Sequence, residues 1–469
     1  MTFRPARLMV IGALLPLAAC APDLGSKPAP RTAASLAASR SLPSEAGAWP
    51  GDGWWKRYND PQLDRLIEEG LAGAPDIAAA AARLARAEGV VRAAGGRLEP
   101  SLTAEGNAGK VKQSYNNGFP REFLPQGWKD TGTVNIQGGW DIDLWGRNRA
   151  TLRAALADRD AARIEQQQAR ITLASSIADA YADLAQLYAD RDVLIEAVRI
   201  QSDTAGLVAQ RVQNGLDNQG QRRQAEAQVP AARADLGAVE EQITITRHRL
   251  AALIGAGPDR GLSIIRPSLA ALAPVTLPDS AGIDLVGRRP DIAAARARLE
   301  AAAERIKAAR AAFYPDLSLR GLVGLQALGF GNVLKSGSTY GNVGPAISLP
   351  IFDQGQRSGD FRTARADYDA AVAEYDRTLI GALQEVANAV ASRTALDQQL
   401  RDARASLEDN RHAWEIARLR YKAGLSTFLD VLSAEQGVIA ARRREADLSA
   451  RAFTLDVALV RALGGGFVA

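Results

Sequence analysis

The chain is written twice. Residues 74–100 (APDIAAAAARLARAEGVVRAAGGRLEP) align with 289–315 (RPDIAAARARLEAAAERIKAARAAFYP) at an offset of 215 residues. DLWGRNR (143–149) aligns with FDQGQR (352–357), and AQRVQNG (209–215) with RLRYKAG (418–424), both at an offset of 209. A period near 210 residues is far longer than that of a solenoid repeat, so the pattern is a duplicated half rather than an array. The offset falls by six after Pro100, which gives the first copy the longer insert there.

Each copy has the same order of elements. Pro75 and Pro290 stand at first-turn positions, followed by Asp76 and Asp291 at the positive end of the helix dipole. A helix of about 24 residues is expected from there to Pro100 or Pro315. The period then changes. In 133–144, Val134, Ile136, Trp140, Ile142 and Leu144 share one face, while Thr133, Asn135, Gln137, Asp141 and Asp143 share the other. Such alternation predicts a strand with one apolar and one wet face. Segments 101–109, 317–325 and 343–351 alternate in the same way, each close to the length a tilted membrane strand needs. A pair of soluble hairpins in an α+β domain is the alternative.

After each hairpin a glycine, Gly146 or Gly355, opens a very long helical pattern, expected over 147–213 and 356–422. At 1.5 Å per residue each helix spans on the order of 100 Å. Ile177, Tyr181, Leu184, Tyr188, Arg191, Ile195, Val198 and Ser202 follow the 4-3-4-3 spacing of a coiled coil, with two polar interruptions. Gly215 and Gly424 stop these helices, and returning helices are expected over 221–254 and 427–463.

Composition fits long, thin helices better than a thick core. The hydrophobic fraction is 47%, but alanine runs such as 78–82 and 301–303 supply much of it, and alanine favours helices that approach closely. The 57 basic and 53 acidic side chains are mixed along the helices, which argues against a nucleic-acid surface. His248 and His412 are far apart and Cys20 is the single cysteine, so a metal site or a catalytic Cys/His pair has almost no raw material. No enzyme activity, metal or cofactor is expected.

At the N terminus, Arg4 and Arg7 precede an apolar run, 8–17, and then Leu17-Ala18-Ala19-Cys20. The run is too short for a bilayer and reads as a signal peptide. An ordinary signal peptide that happens to contain a cysteine is the plain alternative. Leu-Ala-Ala-Cys resembles the lipobox of bacterial lipoproteins, which implies a diacylated Cys20 as the mature N terminus and, with Ala21 following, sorting to the outer membrane. The expected division is signal peptide 1–19, lipid-anchored linker 20–53, a first repeat 54–260 with its hairpin at 101–144, and a second repeat 261–469 with its hairpin at 316–352.

Four strands cannot close a barrel, and an open sheet in lipid strands its backbone groups. Three chains would supply twelve strands. The expected fold class is therefore α+β, mostly α: a duplicated protomer whose trimer forms a transmembrane β-barrel, four strands per chain, continued by a periplasmic α-helical barrel.

WWKRYNDPQLDRLIEEGL (54–71), WDIDLWGRNR (140–149), GRRPDIAAARARLEAA (287–302), AAFYPDLSLRG (311–321) and PIFDQGQR (350–357) together resemble the outer-membrane factors of TolC type, in their lipoprotein branch. Gln354 stands where that family more often has glycine. The resemblance runs from Trp54 onward and implies a passive homotrimeric duct in the outer membrane that works with a periplasmic adaptor and an inner-membrane transporter. YKAGLSTFLDVLSAEQ (421–436) is similar to the family's aperture segment, which implies that Tyr421, Leu429, Asp430 and Ser433 lie near a constriction, with Leu429 closing it and Asp430 favouring cations. The family's tyrosine meets an aspartate six residues after the other repeat's glycine. Here that position is Gln221, and Ser426 and Ser433 replace an arginine and an acid, so the gate is expected to rely less on ion pairs than the acidic type. Ordinary helix packing near a turn is the alternative for Tyr421 and Leu429.

The expected function is the exit duct of an efflux pump for small molecules. A duct for type I secretion, or a coiled-coil adaptor lipoprotein without a pore, are the alternatives. The paired hairpins speak against the adaptor, which has no use for them.

Overall fold

The computed structural model describes residues 21–38, 40–42, 47–116, 118–268, 278, 285, 287–349 and 353–468; Cys20 and the signal segment lie outside the described residues. Helix α1 (Pro61–Gly73) begins where the sequence supplies both an N-cap, Asp60, and a proline at N1. Helix α2 (Pro75–Gly96) leads into strands β1 (Ser101–Val111) and β2 (Lys129–Asp141). Helix α3 (Arg147–Gln213) and the returning α4 (Gln219–Leu253) complete the first repeat. After the short α5 (Pro258–Leu262), the order recurs as α6 (Pro290–Ala311), β3 (Asp316–Leu328), β4 (Thr339–Ser348), α7 (Gln354–Lys422) and α8 (Phe428–Ala462).

From α2 onward the elements of the first copy therefore recur in the second, and α3 has the bounds expected of it. Boundaries differ elsewhere for local reasons. Helices α2 and α6 are 22 residues long and end short of Pro100 and Pro315. In the first, Gly95 and Gly96 favour leaving the helix, and Leu98 N–H closes a turn on the Gly95 carbonyl at 2.9 Å. Strand β2 stops at Asp141, not 144, because Asp143 takes a left-handed conformation, φ 52°, and caps α3 by accepting from the Asn148 and Arg149 amides at 2.8 and 2.9 Å. Strand β4 starts at Thr339, earlier than 343, since its pairing with β3 continues to Leu325 opposite Thr339. Its expected end, 350–352, lies outside the described residues. Helix α7 begins at Gln354 rather than 356, and the returning helices are Gln219–Leu253 and Phe428–Ala462.

The described chain forms two compact units, and neither coincides with a sequence repeat. One comprises, among the described residues, those of 21–30, Leu84–Ala162 and Ala295–Tyr375, and holds the sheet. The other comprises Arg31–Arg83, Arg163–Ala294 and Asp376–Ala469, and holds the main apolar cluster. In that cluster Trp54, Tyr58, Leu63, Leu66 and Ile67 pack on Ile177, Tyr181 and Leu184 of α3, Leu250 of α4 and Phe453 and Val457 of α8. The aromatic motif at 54–58 is thus core material.

Two buried carboxylates organise this unit. Asp60, 3% exposed, accepts from the Gln62 and Leu63 amides at 2.9 and 3.3 Å, the Tyr181 hydroxyl at 2.7 Å and the Ser268 amide at 3.0 Å. Asp456 accepts from the Tyr58 hydroxyl at 2.8 Å and from Arg57 at 3.1 Å. Asp60→Ala removes the α1 cap and strands two other donors, the Tyr181 hydroxyl and the Ser268 amide, so it should destabilise by about 2–4 kcal/mol. Urea unfolding of the purified protein measures this; a loss below about 0.5 kcal/mol, the scale of an ordinary surface change, would contradict the role.

Candidate functional site

The sheet is an antiparallel meander in the order β1-β2-β3-β4, so β1 and β4 each have an unpaired edge. Its register aligns like with like. Ala104, Ile136, Val323 and Gly341 form one row across it, and Leu102, Gly138, Gly321 and Val343 the next. On the opposite face lie rows such as Thr103, Gln137, Leu322 and Asn342, and Glu105, Asn135, Gly324 and Tyr340.

Exposure is inverted relative to a soluble sheet. Val134 and Ile136 are exposed, while their polar neighbours Thr133, Asn135 and Gln137 are half-buried. Leu102 is 78% exposed and Val343 81%. A soluble antiparallel sheet covers its apolar face, whereas a membrane strand turns it outward. The polar rows bond among themselves. Asn135 Nδ2 donates to the Tyr340 hydroxyl at 3.3 Å across Gly324, where a Cβ would stand only 2.5 Å from that of Asn135. Gln137 donates to Glu105.

Aromatic side chains flank the apolar rows. At the helix end, Trp140 Nε1 donates to the Leu98 carbonyl and Trp145 Nε1 to that of Pro315, each at 2.9 Å, and Trp145 stacks on Tyr314 with ring centres 4.5 Å apart. In the loops at the other end Phe119, Phe123, Trp128 and Phe330 are exposed. Such girdles mark the two interfaces of a membrane barrel. Among the described residues no helix is long and apolar enough to cross a membrane.

The second site lies where the long helices turn back. Both turns are built alike. Gly215 (φ 70°) and Gly424 (φ 79°) take the left-handed conformation, and Leu216 and Leu425 amides reach back to the Arg211 and Arg420 carbonyls at 2.9 and 2.8 Å. Asn218 and Thr427 then cap α4 and α8 in reciprocal boxes with Gln221 and Asp430. Gln221 and Asp430 are thus equivalent residues with equivalent duties. The Thr427 amide and hydroxyl, both at 2.8 Å, hold the Asp430 carboxyl below the usual range.

What differs between the turns joins them. Tyr421, 1% exposed, packs with Val208, Ala225, Phe428, Val431 and Leu432, and its hydroxyl donates to Asp217. Arg211 pairs with Asp217 at 2.8 Å, donates to the Tyr421 carbonyl at 2.9 Å and lies over the Tyr421 ring. Burial and the Asp217 carboxylate push the Tyr421 hydroxyl upward in pKa. The tyrosine's partner is thus Asp217, two residues after the glycine, while Gln221 serves the cap of α4. Ser426 occupies the position matching Asp217 in the second turn. Leu429, Asp430 and Ser433 are exposed on the first turns of α8. Arg211 and Asp217 went unnoticed in the sequence, where the contrast of Asp217 with Ser426 between otherwise matching turns was the available signal.

A family model described as "Outer membrane efflux protein" matches residues 66–256 and 284–465. The fusaric acid resistance protein FusA of Burkholderia cepacia is 34% identical over 374 residues, covering 76% of this chain and 69% of that protein. The pyoverdine export outer membrane protein OpmQ of Pseudomonas putida is 30% identical over 430 residues, covering 91% of this chain and 90% of its own. Among solved structures, the outer membrane protein VceC of Vibrio cholerae superimposes with a TM-score of 0.85 at 40% identity, covering 89% of this chain and 100% of that one.

The tip geometry predicts unequal costs. Tyr421→Phe removes one hydrogen bond and should cost about 1 kcal/mol, whereas Asp217→Ala leaves a buried guanidinium unpaired and should cost about 3 kcal/mol. Chemical denaturation of the two variants checks the order; equal losses would contradict it.

Proposed function

This chain belongs to the outer membrane efflux protein family, and on that premise we propose that three copies close into a duct through which small organic molecules leave the cell. The observation that carries this reading is the inverted sheet. Its apolar face is exposed, its polar face is partly covered, and its two edges are open. Three copies supply twelve strands, close every edge, and place the polar rows around a lumen. The relatives named for fusaric acid resistance and pyoverdine export favour small organic cargo over polypeptide. In this reading a periplasmic adaptor engages the tip and an inner-membrane transporter supplies the energy, and no catalytic centre is required.

The tip is the aperture. Tyr421 acts from within the helix packing, tying the two turns through Asp217 and Arg211, while exposed Leu429, Asp430 and Ser433 line the passage. Planar-bilayer recording tests the duct: the purified protein should give discrete conductance steps, with Leu429→Ser raising the conductance and Asp430→Asn shifting the cation-to-anion ratio. An intact trimer that never conducts would refute the reading.

A lipid on Cys20 is part of the same proposal. The segment that follows that residue is held along the start of α7. Ala21 and Leu24 pack beside Ile306, Phe313 and Phe361. Arg365 donates to the Gly25 carbonyl at 3.2 Å and to that of Ser26, and the Tyr368 hydroxyl to that of Pro28 at 3.2 Å. Because α7 follows directly on β4, this track would bring an acylated Cys20 beside the membrane end of the helices. Cys20→Ser should abolish incorporation of radioactive fatty acid, and continued labelling would exclude the lipid.

The two faces of the sheet can be told apart by charge. Ile136→Arg should cost about 2–4 kcal/mol per chain at the bilayer midplane, Ile347→Arg, beyond the Trp140 row, only about 0–1 kcal/mol, and Thr103→Arg on the wet face should be tolerated. Trimer melting distinguishes them; equal responses would overturn the assignment of faces.

A further inference from the structure

The returning helix of the second repeat, α8, lies against the long helix of the first, α3, and their seam carries an unusual series of contacts. Moving away from the tip, beyond the Tyr421 and Asp217 tie, the Thr204 hydroxyl donates to Glu435 at 2.6 Å, Arg442 approaches Glu196 at 3.5 Å, and Gln186 donates to Asp447 at 3.1 Å. Two acids on this seam are buried without a salt bridge. Glu435 is 1% exposed and takes its hydrogen bond from a neutral threonine. Asp190 is 7% exposed, faces Asp447 across the seam, and its Oδ1 has no donor.

We propose that this seam is a proton-operated latch: protonated Glu435 and Asp190 hold the two helical hairpins together, and their ionisation loosens them. A buried carboxylate with no cation is costly, and so is a pair of carboxylates side by side, whereas the neutral acid fits both settings.

Each acid is raised above its ordinary pKa for a visible reason. Burial raises Glu435, with the Thr204 hydrogen bond opposing. Burial and the Asp447 charge raise Asp190, with Arg443 opposing. A group raised in this way favours the folded contact below its unfolded value, and the advantage is lost as pH rises through the folded value. Glu196 has the opposite sign, because hydrogen bonds from Arg199 hold it below the usual range, so its tie fails only in stronger acid. Between about pH 5 and 8, above the ordinary carboxylate range, the two raised acids set the direction.

The other charges around the seam have partners of their own or are exposed. On α3, Arg199 pairs with Glu196 and Asp203, and Arg191 with Glu240 of α4. Glu226 of α4 pairs with Arg222 and Arg223. On α7, Arg404 pairs with Glu445 of α8, Arg411 with Glu415, Arg418 lies over Trp414, and Asp409 and His412 are at or near the surface.

Hydrogen exchange of the full-length purified protein, corrected for the intrinsic effect of pH, tests the latch directly. Amides of α3 and α8 around Thr204 and Glu435 should be more protected at pH 5 than at pH 8, with protection falling steadily as the two raised acids ionise. The variant D190N/E435Q should keep the pH 5 protection at both values. Should it fail to fold, E435Q alone should lose the slope around Thr204 and keep it around Asp190. A flat wild-type profile, or a slope that survives in the double variant, overturns the latch. Its link to opening rests on the duct function proposed above and is read separately: bilayer conductance should rise over the same pH range, and constant conductance over a pH-dependent seam would overturn that link alone.

Discussion

A strand at the edge of a sheet in lipid leaves N–H and C=O groups with nothing to bond, at several kcal/mol each, on the order of the stability of a whole domain once a full edge is counted. Strands β1 and β4 both present such edges, and the faces between them are inverted, apolar outward and polar inward. In water the exposed rows around Ile136 and Val343 would aggregate, and in lipid the edges forbid a solitary sheet. Closure with other copies answers both problems at once. The duplication makes the answer economical, since each chain contributes two hairpins of matching register, and three chains approach six-fold repetition with one gene.

The same duplication explains how the tip works. Two turns with identical stops and caps would hold no preference for one another. Substitution of Asp217 in one turn by Ser426 in the other, with Tyr421 reaching across, turns two equivalent hairpins into a joined pair. The seam of α3 and α8 extends that junction with contacts drawn from both repeats. Contact between the hairpins combines two apolar clusters, around Tyr181 with Phe453 and around Val208 with Tyr421, with a few polar ties between them.

Much of this was legible in the residues. Glycine at 215 and 424, alternation at 133–141 and the absence of proline through 147–213 reflect local physics that no distant contact overrides, and the elements stand where those signals put them. Strand ends were less legible, because Asp143 stops β2 by its backbone conformation and side-chain caps, neither of which alternation reports. At the tip, the choice between Asp217 and Gln221 as the partner of Tyr421 depends on where two turns meet in space. Spacing counted from the glycine leads to Gln221, which caps α4, and does not reach Asp217. Burial of Asp190 and Glu435 lies beyond sequence altogether, since each stands in a helix that carries other acids at the surface.

Closure of the sheet by neighbouring copies is the central claim, and covalent capture of the β1 and β4 edges tests it most directly. In a Cys20→Ser background, pairs of cysteines placed one on β1 and one on β4 would be oxidised in isolated membranes and resolved by non-reducing electrophoresis. The account predicts that matched pairs give a ladder ending at a covalent trimer. Monomers at every pairing, or a ladder that continues past three, would contradict it.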